Sequence, residues 1–109
     1  NISSLSGTKA VAMEAVVGGL KAAVNQMTKA LAVAWGPYNI RVNAIAPGIT
    51  LTDRVKKKLG PEFIEQFTEG IPLRRAAEPE DHLGPAIFLA SDAASYVTGM
   101  VLPTDGGPQ

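Results

Sequence analysis

Residues 14–35 read EAVVGGLKAAVNQMTKALAVAW. Val17, Leu20, Val24, Met27, Leu31 and Ala34 recur at steps of three and four, which places them in one apolar stripe on a helix. Lys21, Asn25 and Lys29 fall off that stripe. Some 22 residues at a rise of 1.5 Å give roughly 33 Å of helix, the width of a small domain. A helix of that length needs a partner surface, so the stripe is predicted to be covered. Lys21 lies one turn after position 17 and projects on the same side of the helix.

Gly36-Pro37-Tyr38-Asn39 follows and is read as the stop, with glycine at the helix end and proline just beyond. Ile40 to Ala46, IRVNAIA, alternates and is rich in β-branched residues, so a strand is expected there, ended by Pro47-Gly48. Upstream, Asn1 to Ser6 (NISSLS) reads as the end of a strand entering a loop. Downstream, Thr50 or Thr52 can cap a short helix, LTDRVKKKL, which Gly60-Pro61 terminates. A second short helix, PEFIEQFTE, carries Phe63, Ile64 and Phe67 on one side. Trp35 and the Phe63/Phe67 pair are expected in core or lid packing.

Glu78-Pro79-Glu80-Asp81 is a helix start, with proline in the first turn and carboxylates at the positive end of the dipole. This helix runs to Ala90, and Ser91-Asp92 caps one further turn. Gly99 to Pro103 is a last short strand, and Asp105-Gly106-Gly107 a turn. Strands separated by helices argue for parallel α/β crossovers. Only two complete strands are present, too few for a parallel sheet covered on both faces. The count points to a fragment.

Composition narrows the class. The 109 residues allow one domain at most, and 46% hydrophobic content supports a buried core. Ten basic and ten acidic residues cancel, leaving no basic footprint for nucleic acid. The run Lys56-Lys57-Lys58 is read as a solvated helix face. Without cysteine there is no disulfide framework, thiolate metal site or thiol nucleophile, which fits a reducing cytoplasm. Apolar stretches are broken by Lys, Asn, Gln or Gly, so no membrane span and no membrane partner is expected. The chain starts at Asn1 and its first methionine is Met13, so an N-terminal segment is expected to be missing from it.

The string NISS, the stretch LAVAWGPYNIRVNAIAPG and the closing SDAASYVTGMVLPTDGG together resemble the short-chain dehydrogenase/reductase family. The resemblance covers essentially the whole chain and leans toward 3-oxoacyl-carrier-protein reductases and gluconate 5-dehydrogenases. It implies that residues 1–109 are the C-terminal half of a Rossmann-type, doubly wound parallel α/β sheet, from the end of the fifth strand onward. It further implies an enzyme using NAD or NADP to oxidise an alcohol or reduce a carbonyl of a small-molecule substrate, assembled as a homo-oligomeric dimer or tetramer. The helix stripe would then be buried between subunits.

In that family a serine polarises the substrate oxygen, a tyrosine is the acid/base, and a lysine lowers the tyrosine pKa while holding the nicotinamide ribose. Carried over by position, Ser4 matches the serine and Lys21 the lysine. Thirteen residues separate Ser4 from position 17, the family's usual serine-to-tyrosine offset. Position 17 is valine. Valine has no proton to give, and Tyr38 and Tyr96 do not replace it by position. A family-like YGASK reads VGGLK here, and Gly18 and Gly19 each cost a helix roughly 0.8–1.0 kcal/mol against alanine.

The glycine-rich TGxxxGxG turn and the NNAG segment of the cofactor half are not among these residues. Pro47, Gly48, Ile49 and Thr52 match the loop that contacts the nicotinamide amide. The resemblance thus implies a fragment of an NAD(P)-dependent oxidoreductase, inactive as this chain. The alternative is a non-catalytic pseudo-enzyme or oligomerisation module that pairs with an intact homologue. Ser3 is expected to be structural and His82 a surface or satisfied histidine; Glu78, Glu80 and Asp81 serve the helix dipole, and no metal site is expected.

Overall fold

The computed structural model describes residues 1–108. The elements are α1 (Ala15–Trp35), β1 (Ala44–Pro47), α2 (Asp53–Lys58), α3 (Pro61–Thr68), α4 (Leu83–Ala90) and β2 (Val101–Thr104). Short 3₁₀ turns cover Leu5–Gly7, Ala12–Glu14, Gly36–Tyr38, Pro79–His82 and Asp92–Ala94. β1 and β2 pair in parallel, with Ala44 opposite Val101 and Pro47 opposite Thr104. On the other side of β1, Ile2 makes a parallel bridge to Ile45. β1 is therefore central, and Ala44, Ile45 and Ala46 are buried. The expected parallel α/β arrangement with two short strands is present. Among the described residues, no helix is long and apolar enough to cross a membrane.

α1 begins and ends as its sequence predicts, but it faces the other way. Asn25, Thr28 and Ala32 are its buried residues, with Gly18 and Lys21 half-buried on the same face. The apolar stripe, expected to be buried between subunits, is largely open in the single chain: Val17 is 49%, Leu20 65% and Met27 48% exposed, and only Val24 and Leu31 are half-buried. The reason is how closely the N-terminal segment approaches. A Cβ at Gly7 would lie 2.8 Å from the Lys21 carbonyl carbon, and one at Gly18 would lie 2.7 Å from the Ser6 carbonyl oxygen. At that separation only small residues fit, and the contact is made by hydrogen bonds. The Asn1 amide donates to Thr28 Oγ1 (2.9 Å), the Asn25 amide to Gly7 O (3.1 Å) and Ser3 Oγ to Lys21 O (3.3 Å).

Gly19 sits in the helix interior, and a Cβ added there would meet no atom within 4 Å. Gly19→Ala therefore gains helix propensity without a clash. Thermal or urea unfolding should show a stabilisation of about 0.8–1.0 kcal/mol; a loss of stability would mean that this helix surface is covered.

Three other boundaries differ from the sequence reading. Gly36 stays right-handed (φ −53°) and continues into a 3₁₀ turn; Asn39, at φ 59°, makes the reversal. Asparagine tolerates the left-handed region through local hydrogen bonding. The strand expected over Ile40–Ala46 starts only at Ala44. Residues 41–43 instead tie down the loop before β2: the Arg41 guanidinium donates to Leu89 O (2.7 Å), Ser91 O (3.2 Å) and Val97 O (3.3 Å). Asn43 donates to Val97 O and accepts from the Met100 N–H. The last strand likewise shifts from Gly99–Pro103 to Val101–Thr104. Trp35, Phe63 and Phe67 are exposed rather than core; the two phenylalanine rings stack on each other with centroids 6.2 Å apart.

The helix start at Glu78 takes the form of a 3₁₀ turn leading into α4. Asp81 accepts the Glu78 backbone N–H at 2.8 Å and both Arg75 Nη groups at 2.6 and 2.8 Å. The Arg75 hydrogen bonds first, then that backbone N–H, hold the Asp81 carboxyl well below the usual carboxylate range. Because the folded pKa is depressed, the pair's contribution to stability is present above the unfolded value near 3.9 and is lost as pH falls through the folded one. In an acid titration followed by carboxyl carbon NMR, Asp81 should remain ionised below about pH 3.9. Arg75→Ala should bring its titration back toward that value; an unshifted midpoint in the native chain would contradict the pairing.

The chain exposes 7299 Å² and has a radius of gyration of 15.0 Å. A compact monomer of this mass exposes about 5,800 Å², and a domain of this length has a radius of about 13 Å. The excess is apolar in large part: Met13, Val16, Leu20 and Val33 on or beside α1, and Leu83 and Ile87 at α4, are all exposed.

Candidate active site

Parallel strands end on one edge, and the chemistry-bearing residues sit along it. Ser4 follows Ile2 by two residues, and Pro47 follows Ile45 by two. The Ile2–Ile45 bridge and the Pro47–Thr104 pair therefore bring Ser4, Pro47-Gly48 and Thr104-Asp105 to the carboxyl edge of three parallel segments. In open α/β sheets this is the edge at which ligands bind.

Ser4 is extended (φ −159°, ψ 157°) and caps the 3₁₀ turn Leu5–Gly7. Its Oγ accepts from the Ser6 N–H at 3.3 Å and from Ser6 Oγ at 3.0 Å. Both interactions use its lone pairs, so the Ser4 hydroxyl proton is left to donate to a substrate oxygen. Lys21, from α1, donates from Nζ to Ile2 O at 2.9 Å. Serine and lysine thus converge through the same short segment, Ile2–Ser4. Ser3 is buried and bonds the Lys21 carbonyl, the structural role expected for it.

Val17 lies one turn before Lys21 on α1, half-exposed. Neither tyrosine of the chain stands in for it in the helix: Tyr38 belongs to the 3₁₀ turn after α1 ends, and Tyr96 is fully exposed after α4. Position 17 therefore presents an isopropyl group, which has no proton to transfer.

The loop after β1 is held at several points. The Gly48 N–H donates to Thr104 O at 3.2 Å, and a Cβ on Gly48 would come within 2.9 Å of Asp105 Cα. The Leu51 N–H donates to Ala77 O (2.8 Å) and the Ala77 N–H to Ile49 O (2.9 Å). Thr52 caps α2, its Oγ1 accepting the Val55 N–H at 3.3 Å, which leaves its own proton free. His82, expected to be surface or satisfied, is satisfied on both ring nitrogens: Nε2 lies 2.9 Å from Thr50 Oγ1 and Nδ1 2.9 Å from Thr104 Oγ1. Sequence spacing gave no sign of this bridge, because its three residues come from three separate segments.

The family model for enoyl-(acyl carrier protein) reductases matches residues 1–109. The chain belongs to the short-chain dehydrogenase/reductase family. It is similar to the L-rhamnose 1-dehydrogenase (NAD(P)(+)) of Azotobacter vinelandii, with 44% identity over 107 residues, 97% of this chain and 42% of that protein. Among solved structures it is similar to a proposed NAD(P)-dependent gluconate 5-dehydrogenase from Beutenbergia cavernae with NADP bound at low occupancy. There the TM-score is 0.91 and the identity 43%, covering 97% of this chain and 43% of the other. A 7α-hydroxysteroid dehydrogenase complexed with NADH and 7-oxo glycochenodeoxycholic acid matches at TM-score 0.89 and 39% identity, over 97% of this chain and 42% of the other.

The chain spans about two fifths of the length of these relatives. Its fold is an incomplete Rossmann-type short-chain dehydrogenase/reductase sheet.

Proposed function

We propose that residues 1–109 form the C-terminal part of a short-chain dehydrogenase/reductase domain of an NAD(P)-dependent oxidoreductase for alcohol or carbonyl substrates, and that hydride chemistry fails in it at Val17. The observation that carries this reading is the pairing of a preserved framework with a lost proton donor. Ser4 Oγ accepts from Ser6 and keeps its own proton to donate, and Lys21 stays anchored to Ile2 O at 2.9 Å. Position 17, one turn from Lys21, has nothing to titrate.

The residues present suit the nicotinamide end of a dinucleotide. Lys21, Pro47, Gly48, Ile49 and Thr52 would hold it, Thr52 with a proton left over after capping α2. When bound, NAD(P) supplies or accepts the hydride. Ser4 would orient the substrate oxygen, and Lys21 would bind the cofactor ribose but finds no phenol to acidify. An open groove of about 540 Å³ between α2, α3 and residues 75–78 is lined by Leu51, Leu59, Pro61 and Ile64 with Lys56 and Arg75 at its margin. It is the place for the apolar part of a substrate.

The test is a fluorescence titration with NADH and NADPH of the full-length polypeptide that carries these residues, followed by a steady-state assay on alcohols and ketones. Binding with turnover below about 10⁻² s⁻¹, 10²-fold under the low end of the ordinary 1–10³ s⁻¹, is expected. Turnover within that range overturns the reading.

The exposed apolar face of α1 favours a second reading, in which the chain acts as an oligomerisation module beside an intact homologue. The surface excess over a compact monomer, about 1,500 Å², is ample for the roughly 800 Å² that each partner buries in a standard protein–protein interface. Sedimentation velocity of the two proteins mixed should then show a hetero-oligomer, whereas independent sedimentation removes this reading.

A further inference from the structure

We infer that His82 is a positioning residue, pinning the Gly48–Thr52 loop to the end of β2 and so setting how firmly that loop grips the nicotinamide end of a dinucleotide. The second half of this inference rests on the cofactor reading of the loop proposed above.

The imidazole joins three separate segments. It sits on the last residue of the 3₁₀ turn Pro79–His82, whose preceding residue is fixed by the Arg75 fork. From there Nε2 reaches Thr50 Oγ1 and Nδ1 reaches Thr104 Oγ1, each at 2.9 Å. The direction of the protons follows from Thr50. Its hydroxyl donates to Gly48 O at 3.1 Å, so toward the ring it can only accept. We assign the proton on this basis to Nε2, which then donates to Thr50, while Nδ1 accepts from the Thr104 hydroxyl. Both ring nitrogens and both hydroxyls are satisfied in this one tautomer.

Among side chains, only a neutral imidazole offers one donor and one acceptor pointing apart on a rigid ring. An apolar residue of similar size would fill the space but leave the Thr104 hydroxyl without its partner and free the Thr50 side of the loop. The loop's other anchors are the two backbone bonds to Ala77 and the Gly48 bond to Thr104 O. The Ala77 bonds bracket Thr50 through Ile49 and Leu51, so the histidine adds a side-chain tie from the end of β2 to the residue at the centre of that backbone bridge.

Two independent readouts on the full-length polypeptide test this. The first is ¹⁵N NMR of the His82 ring with amide exchange at Leu51 and Ala77. A single Nε2–H tautomer is expected, and His82→Leu should speed exchange at both amides about tenfold, the worth of one to two net hydrogen bonds. An averaged tautomer, or unchanged exchange in the variant, overturns the clamp; a single Nδ1–H tautomer overturns the proton assignment, since the same two contacts then form with their directions reversed.

The second is calorimetric titration with NAD⁺, NADP⁺ and ADP-ribose, which lacks the nicotinamide. His82→Leu should weaken the preferred dinucleotide about tenfold and leave ADP-ribose unchanged, with His82→Gln recovering part of the loss. Equal weakening of both ligands assigns His82 a general structural role and overturns its part in cofactor grip. If the native protein binds no dinucleotide, the cofactor reading fails, while tautomer and exchange still decide the clamp.

Discussion

Replacing Val17 with tyrosine in the full-length polypeptide will raise NAD(P)H-linked turnover by about 10²–10⁴-fold, the usual worth of a positioned general acid/base. The environment for that phenol is already in place. Position 17 is half-exposed, so a ring can be added without repacking the core. Lys21 lies one helical turn on, and the Ser4 hydroxyl proton is uncommitted. Gly18, whose Cβ would lie 2.7 Å from the Ser6 carbonyl oxygen, keeps the helix against that segment and is left unchanged by the substitution. Val17→Phe is the control, because it adds the ring without the proton and should give no gain. Steady-state absorbance at the reduced nicotinamide band reads both. A tyrosine variant as inert as phenylalanine would show that the missing proton donor is not what silences the site.

Gly7→Ala should have the second-largest effect, and in the opposite direction. A methyl at Gly7 would sit 2.8 Å from the Lys21 carbonyl carbon and 2.9 Å from Lys21 Cβ. Neither atom is the free end of a flexible side chain, so the segment bearing Ser4 must lift away from α1. Overpacking of this kind costs about 1–3 kcal/mol, read as a loss of several degrees in thermal melting. The same displacement pulls Ser4 from Lys21, so in the Val17→Tyr background it should also cancel the restored turnover. A Gly7→Ala protein that melts unchanged and keeps the tyrosine-dependent activity would mean that this approach is looser than the geometry shows.

Much of the fold could be read from local chemistry. The extent of α1, the Thr52 cap on α2, the Glu78–Asp81 helix start and the alternation of strands with helices all depend on residues close in sequence. The facing of α1 was not legible in this way. Periodicity locates the large apolar residues but does not say which neighbour covers them, and here close backbone approach reserves the inner face for Gly18, Asn25, Thr28 and Ala32. Arg41 and Asn43 alternate as strand residues do, yet their side chains are engaged in holding the 97–100 loop and α4, so β1 starts later. The His82 bridge lies beyond any local signal, since Thr50 and Thr104 reach it only through the tertiary fold.

The central claim is that a preserved serine–lysine framework without a proton donor at position 17 does not turn over. The most direct measurement is deuteride transfer. The native full-length polypeptide is incubated with nicotinamide cofactor deuterated at C4 and a panel of ketones, aldehydes and sugars, and the products are analysed by mass spectrometry. Deuterium in the products should stay at the level of the protein-free control, with Val17→Tyr incorporating it under the same conditions. Catalytic incorporation by the native valine protein would contradict the claim and require another proton donor at the carboxyl edge of the sheet.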